Sequence, residues 1–165
     1  MPSPHTLAET EQQVAQKLGG LTIDFEAMAV ASNLFRAANA TRNYLERTVL
    51  APHGLSWTAF VVLWVTWIWE PIETRQIAEE GGFSKATLTG VLGTLEGKGL
   101  LQRERSTSDG RLVLVSMTQE GCDVMQRLFP EFNRHEQQVA HAAGDQAEQL
   151  AELLRRITAD IESRR

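Results

Sequence analysis

Ser84, Lys85, Thr87 and Thr89 open a segment that also carries Arg103, Arg105, Asp109 and Arg111. Hydroxyl groups donate and accept at base edges, and a threonine methyl can meet a thymine methyl. Lysine and arginine reach phosphates or guanine. Between Ser84 and Arg111, five basic residues (Lys85, Lys98, Arg103, Arg105, Arg111) stand against three acidic ones (Glu96, Glu104, Asp109). That segment is +2 in a chain of net charge −5, so the remainder carries −7. Such a chain does not coat nucleic acid by bulk charge, and any DNA contact must come from a locally basic face. The basic residues are concentrated where such a face would be needed, and Arg75 adds another cation upstream.

Other chemistries find little support. The single cysteine, Cys122, allows no intramolecular disulfide and no cysteine-based zinc site. It stands just inside the start of an expected helix, where a thiol pKa can fall, so an oxidation-responsive role is one alternative. The four histidines form no i, i+4 pair, and no metal site is expected. There is no Walker-type loop, nucleophile elbow or paired-carboxylate pattern, so neither an enzyme nor a cofactor is expected. Trp57, Trp64, Trp67 and Trp69 fall within 13 residues. At helical spacing such a cluster is ordinarily core.

The elements that must hold these residues follow from periodicity. The chain has 165 residues, 42% hydrophobic and 22% charged, enough for a packed core. The N-terminus lacks the basic and apolar regions of a signal peptide, and the longest apolar stretch, Ala59 to Trp69, is 11 residues. A membrane helix needs about 20, so a soluble, reduced, cytoplasmic protein is expected. Residues 1–22 read as an extension with a thin amphipathic helix (Leu7, Val14, Leu18) ended by Gly19 and Gly20. Residues 23–165 read as one domain. A helix starts at the cap Asp24 and runs to about Leu50, where Pro52 and Gly54 stop it. Ser56 caps a second helix, apolar nearly all round, closed by Pro71. A short helix from Thr74 and a turn at Gly81-Gly82-Phe83 lead to a helix capped by Ser84. Strand-like runs Leu100 to Arg105 and Arg111 to Met117 flank a hairpin turn with Asp109-Gly110 as its signal. Thr118 caps a long helix in which Pro130 is expected to introduce a kink, and Gly144 separates it from a last helix with the stripe Leu150, Leu153, Leu154, Ile157, Ile161. The fold expected is mostly α: a winged helix-turn-helix over about 56–117, with a two-stranded β-hairpin wing and long flanking helices over about 24–50 and 118–163.

Phe83-Ser84-Lys85-Ala86-Thr87-Leu88-Thr89, then Leu95-Glu96-Gly97-Lys98-Gly99-Leu100-Leu101, Arg103, Asp109-Gly110-Arg111 and Thr118-Gln119-Glu120-Gly121 together resemble the MarR family of winged helix-turn-helix transcriptional regulators. The resemblance implies that Ser84 to Gly97 is the recognition helix, with Ser84, Lys85, Thr87 and Thr89 on its DNA face. It implies that Asp109 holds Arg111 for entry into the minor groove, and that Arg75, Arg103 and Arg105 meet phosphates. Where the family often has a second wing arginine, this chain has Gly110, which removes one phosphate contact. The resemblance further implies a homodimer on a pseudo-palindromic double-stranded operator, in keeping with apolar stripes outside the helix-turn-helix core. It places a small-molecule effector cleft between the dimer helices and the DNA-binding lobe. Asn33, Arg36, Trp57 and Trp64 are the candidates there, and an arginine beside aromatics suits a small aromatic or carboxylate ligand. The expected function is a repressor released by such an effector. The alternatives are a redox-responsive regulator using Cys122 and a dimeric interaction module without DNA binding.

Overall fold

The computed structural model describes residues 5–106, Asp109 and residues 111–164. Its helices are α1 (Leu7–Leu18), α2 (Phe25–Leu45), α3 (Trp57–Trp69), α4 (Thr74–Gly81), α5 (Lys85–Gly97), α6 (Gln119–His141) and α7 (Ala147–Glu162). Three strands, β1 (Ile72–Glu73), β2 (Leu101–Arg105) and β3 (Val113–Met117), complete it. Contacts divide the chain into two compact units, Met1–Thr41 and Arg42–Arg165.

In the N-terminal unit, Thr6 and Glu9 cap α1 reciprocally: the Thr6 hydroxyl accepts the Glu9 N–H at 3.2 Å, and the Glu9 carboxylate accepts the Thr6 N–H at 2.7 Å. Those bonds hold the Glu9 carboxyl below its ordinary range. Asp24 caps α2 as expected, accepting from the Ala27 N–H at 2.9 Å. Leu21, Val30 and Phe35 are exposed large apolar side chains of this unit.

In the C-terminal unit the chain leaves α2 through a π-helical turn, Glu46–Leu50, and a 3₁₀ turn, Ala51–His53. The helix expected to reach Leu50 thus does so, with a widened last turn. Ser56 caps α3 through the Ala59 N–H at 3.2 Å. α3 is the axis of the core: Ala59, Phe60, Val62, Leu63, Val65 and Thr66 are all buried. Thr66 sits there at no polar cost because its hydroxyl donates to the Val62 carbonyl at 2.8 Å. Ile77 of α4, Leu88, Leu92 and Leu95 of α5, Val115 of β3, and Met125, Leu128 and Phe132 of α6 close around it. Each fully buried side chain of this size contributes roughly 1.5–3 kcal/mol.

The sheet is antiparallel in the order β1-β3-β2, with Arg103 opposite Val115 and Ile72 also opposite Val115. A two-stranded wing was expected; β1 adds a third strand, too short at two residues for any period to register. Thr118 caps α6 by accepting the Gly121 N–H at 3.0 Å. Gly121 is required there: a Cβ would stand 2.0 Å from the Leu100 carbonyl oxygen. α6 continues through Pro130, whose ring leaves the Gln126 carbonyl without its helical donor. No single described helix is long and apolar enough to cross a membrane.

Candidate nucleic-acid interface

The turn between α4 and α5 is fixed by backbone chemistry. Gly82 adopts φ 65°, a left-handed value that favours glycine. The Phe83 N–H then bonds the Ala78 carbonyl at 2.9 Å, and Phe83 packs half-buried against the core. This locks the angle at which α5 leaves. Ser84 caps α5: its hydroxyl oxygen accepts the Thr87 N–H at 3.1 Å and lies 2.8 Å from the Thr87 hydroxyl. The expected cap is in place.

Leu88, Leu92 and Leu95 turn inward, and Ser84, Lys85, Thr87 and Thr89 are exposed. The Thr89 hydroxyl donates to the Lys85 carbonyl at 2.8 Å. Its hydrogen is therefore committed to the helix, while its methyl and an acceptor lone pair remain for a ligand. The Lys85 ammonium is exposed and makes no hydrogen bond or ion pair among the described residues.

The other cations divide into free and engaged. Arg75 pairs with Glu79 at 2.7 Å, both largely exposed, and that bond raises the arginine pKa. Arg103 on β2 pairs with Glu96 on the last turn of α5. The bond from Arg103 holds the Glu96 carboxyl below its ordinary range, and Glu96 in turn raises Arg103. The pair ties α5 to the foot of the hairpin. Lys98 donates to the Gly54 carbonyl at 2.7 Å. Arg105 and Arg111 are exposed, with side chains unpaired among the described residues.

At the wing, Asp109 and Arg111 are joined, but through the main chain: the Asp109 carboxylate accepts the Arg111 N–H at 3.0 Å. Ser106 and Leu112 pair below them, the Ser106 N–H bonding the Leu112 carbonyl at 3.0 Å. Asp109 thus holds the main chain at Arg111, whose side chain is exposed. Thr107, Ser108 and Gly110, part of the expected hairpin turn, lie outside the described residues.

The four effector candidates fall in two units. Asn33 and Arg36 lie in the N-terminal one, where the Asn33 amide donates to Glu11 at 3.3 Å. Trp57 and Trp64 lie in the C-terminal one, in an aromatic layer between α3 and α6. Trp64 stacks on Phe129 with ring centroids 4.5 Å apart, and Trp57 lies 6.3 Å from both Phe60 and Phe132. Both tryptophans are half-buried, so the cluster is mainly the edge of the core.

The surroundings of Cys122 bear on the redox alternative. Burial, then the Glu70 and Asp123 carboxylates, push its thiol up, which opposes the thiolate a redox sensor needs. Helix position suggested the opposite, because Glu70 is distant in sequence. Two further bonds escaped sequence reasoning. The Glu70 carboxylate accepts the Met117 N–H at 2.6 Å, extending the β1–β3 pairing by a side chain. The Tyr44 hydroxyl donates to Gln138 at 2.6 Å and lies 2.7 Å from His135 Nδ1, joining α2 to α6.

Comparison with known proteins identifies this arrangement. The MarR family profile matches residues 55–113. The HTH-type transcriptional regulator YwaE of Bacillus subtilis (strain 168) is 38% identical over 157 residues, covering 94% of this chain and 89% of the relative. Sco3205 of Streptomyces coelicolor, a MarR family transcriptional regulator solved in complex with DNA, superposes with a TM-score of 0.74 at 20% identity, covering 84% of this chain and 89% of that one. The PcaV transcriptional regulator of Streptomyces coelicolor, solved with its natural ligand, gives a TM-score of 0.64 at 25% identity, covering 84% and 97%.

Proposed function

The chain belongs to the MarR family of transcriptional regulators, and on that premise we propose that it is a cytoplasmic homodimeric repressor whose hold on a pseudo-palindromic operator is released by a small aromatic or carboxylate effector. One observation carries the DNA reading. Lys85 at the start of α5 and Arg105 and Arg111 at the wing are exposed cations without partners among the described residues, while Lys98 and Arg103 in the same segment are engaged within the chain. In this reading Lys85, Thr87 and Thr89 enter the major groove, with Ser84 holding the helix start. Arg111 enters the minor groove, where a narrow A·T-rich tract concentrates negative potential. Arg75 and Arg105 meet phosphates.

The dimer reading rests on α7, whose Leu150, Leu153, Leu154 and Ile161 are exposed in the single chain. Burying each against a second copy would contribute up to about 2 kcal/mol before association costs. Two-fold symmetry then sets two recognition helices about one DNA turn apart. An effector acts by binding more tightly to a form in which that spacing is wrong, with a coupling of about 1–3 kcal/mol. The structure of PcaV with its natural ligand supports an effector as a property of such folds.

Selection of bound fragments from genomic DNA by the purified protein tests the reading. The expected result is a two-fold symmetric motif, bound by a dimer with strong salt dependence. Fragments without a common motif, bound equally to scrambled duplex, would overturn it.

A further inference from the structure

The N-terminal unit contains a cleft of about 270 Å³ between α1 and α2. That is close to the lower end of small-molecule pockets, roughly 300–1,000 Å³. The link at 19–24 returns α2 along α1, and the bond from Asn33 to Glu11 at 3.3 Å joins the middle of α1 to α2. The cleft is therefore graded. Val14, Phe25, Met28 and Ala29 line the end near the link, and Glu11, Ser32 and Arg36 line the other.

The polar end holds two complementary charges of unequal commitment. The Ser32 hydroxyl is spent on the Ala29 carbonyl at 3.3 Å. The Arg36 guanidinium has no hydrogen bond or ion pair among the described residues, and the Glu11 carboxylate has only the Asn33 amide. A simple carboxylate would satisfy Arg36 but face Glu11, and a simple amine would do the reverse. A molecule bearing both groups meets both.

We infer that this cleft binds a small apolar molecule whose polar end carries a carboxylate together with a hydrogen-bond donor, the class of apolar amino acids and hydroxy acids. The apolar body lies against Phe25 and Met28, the carboxylate forks onto Arg36, and the donor meets Glu11. The site shares Arg36, and the carboxylate it takes, with the effector reading above, but it uses neither the tryptophans nor the helix-turn-helix and requires no coupling to DNA.

Calorimetric titration of the full chain with four probes tests it: phenylalanine, phenyllactate, 3-phenylpropionate and phenethylamine. Phenylalanine or phenyllactate should saturate one site per chain, and each probe with a single polar group should bind roughly tenfold or more weakly. Arg36→Gln should remove the preference for phenylalanine over phenethylamine. Glu11→Gln should remove its preference over 3-phenylpropionate. Ala29→Leu should fill the cleft and weaken all four, with the far-ultraviolet dichroism of each variant checking the fold. No saturable binding of phenylalanine or phenyllactate, or binding unchanged by Arg36→Gln and Glu11→Gln, overturns the assignment. Operator affinity plays no part in the measurement, so its failure and that of the effector reading are separable.

Discussion

Glu96→Gln should steepen the salt dependence of operator binding. In the wild type, Lys85 and Arg105, unpaired among the described residues, would meet phosphates on each protomer of the proposed dimer. Arg75 joins them, because its pair with Glu79 has side chains 81% and 60% exposed. A pair that exposed is weak, and a phosphate can displace it. Three contacts per protomer make six per dimer, and about 0.9 per phosphate puts the slope of log K against log salt near −5. Arg103 is left out of this count. Its pair with Glu96 is only 33% exposed on each side and pulls the two pKa values in the directions of a firm bond. Glutamine keeps the shape of Glu96 and removes its charge, so Arg103 is freed in both protomers. Eight contacts then give a slope near −7. The family resemblance placed Arg103 among the phosphate contacts, which would give the steeper value for the wild type. Fluorescence anisotropy of labelled operator between about 50 and 200 mM salt separates the two. An unchanged slope in Glu96→Gln would refute the reasoning. So would a wild-type slope near −7 that falls toward −5 in Arg103→Gln, which would mean that phosphate already outcompetes Glu96.

Four further outcomes are expected. Arg111→Ala should weaken operator binding by about 1–3 kcal/mol with the fold intact, and Asp109→Ala less, since Asp109 holds only the main chain; anisotropy checks both. Gly121→Ala should lower thermal stability by about 1–3 kcal/mol or more, because the added carbon meets the Leu100 backbone rather than a side chain that can move; a melting curve equal to wild type would contradict this. Deleting residues 146–165 should leave a folded monomer where the full chain is a dimer, read by light scattering at micromolar concentration. Cys122 should react with a thiol-specific reagent at pH 8 more slowly than free cysteine, its thiol being pushed up; faster reaction would restore the redox alternative.

What the sequence made legible was local. The caps Asp24, Ser56, Ser84 and Thr118 were readable because a cap oxygen reaches donors only two or three residues ahead, and all four make that bond. The inward stripe of α5 was readable because helical spacing alone decides it. Bonds between distant residues were not. Nothing near Glu70 announces the Met117 N–H, 47 residues away, and Lys98 meets Gly54 across 44. The candidate interface shows what this costs a charge count. Composition gives the segment from Ser84 to Arg111 a net +2 and treats its five cations alike. Folding distinguishes them. Lys98 is drawn onto a backbone carbonyl and Arg103 onto Glu96, near the C-terminal end of α5. Among the described residues, Lys85 remains unpaired at the start of that helix, and Arg105 and Arg111 at the wing. The net charge therefore predicts that a basic face exists, while the pairing decides that its unneutralised charge sits at two separate places. Two such places suit a reader that touches a major groove with one element and a minor groove with another, and they make the free cations, rather than the total, the quantity that salt titration will count.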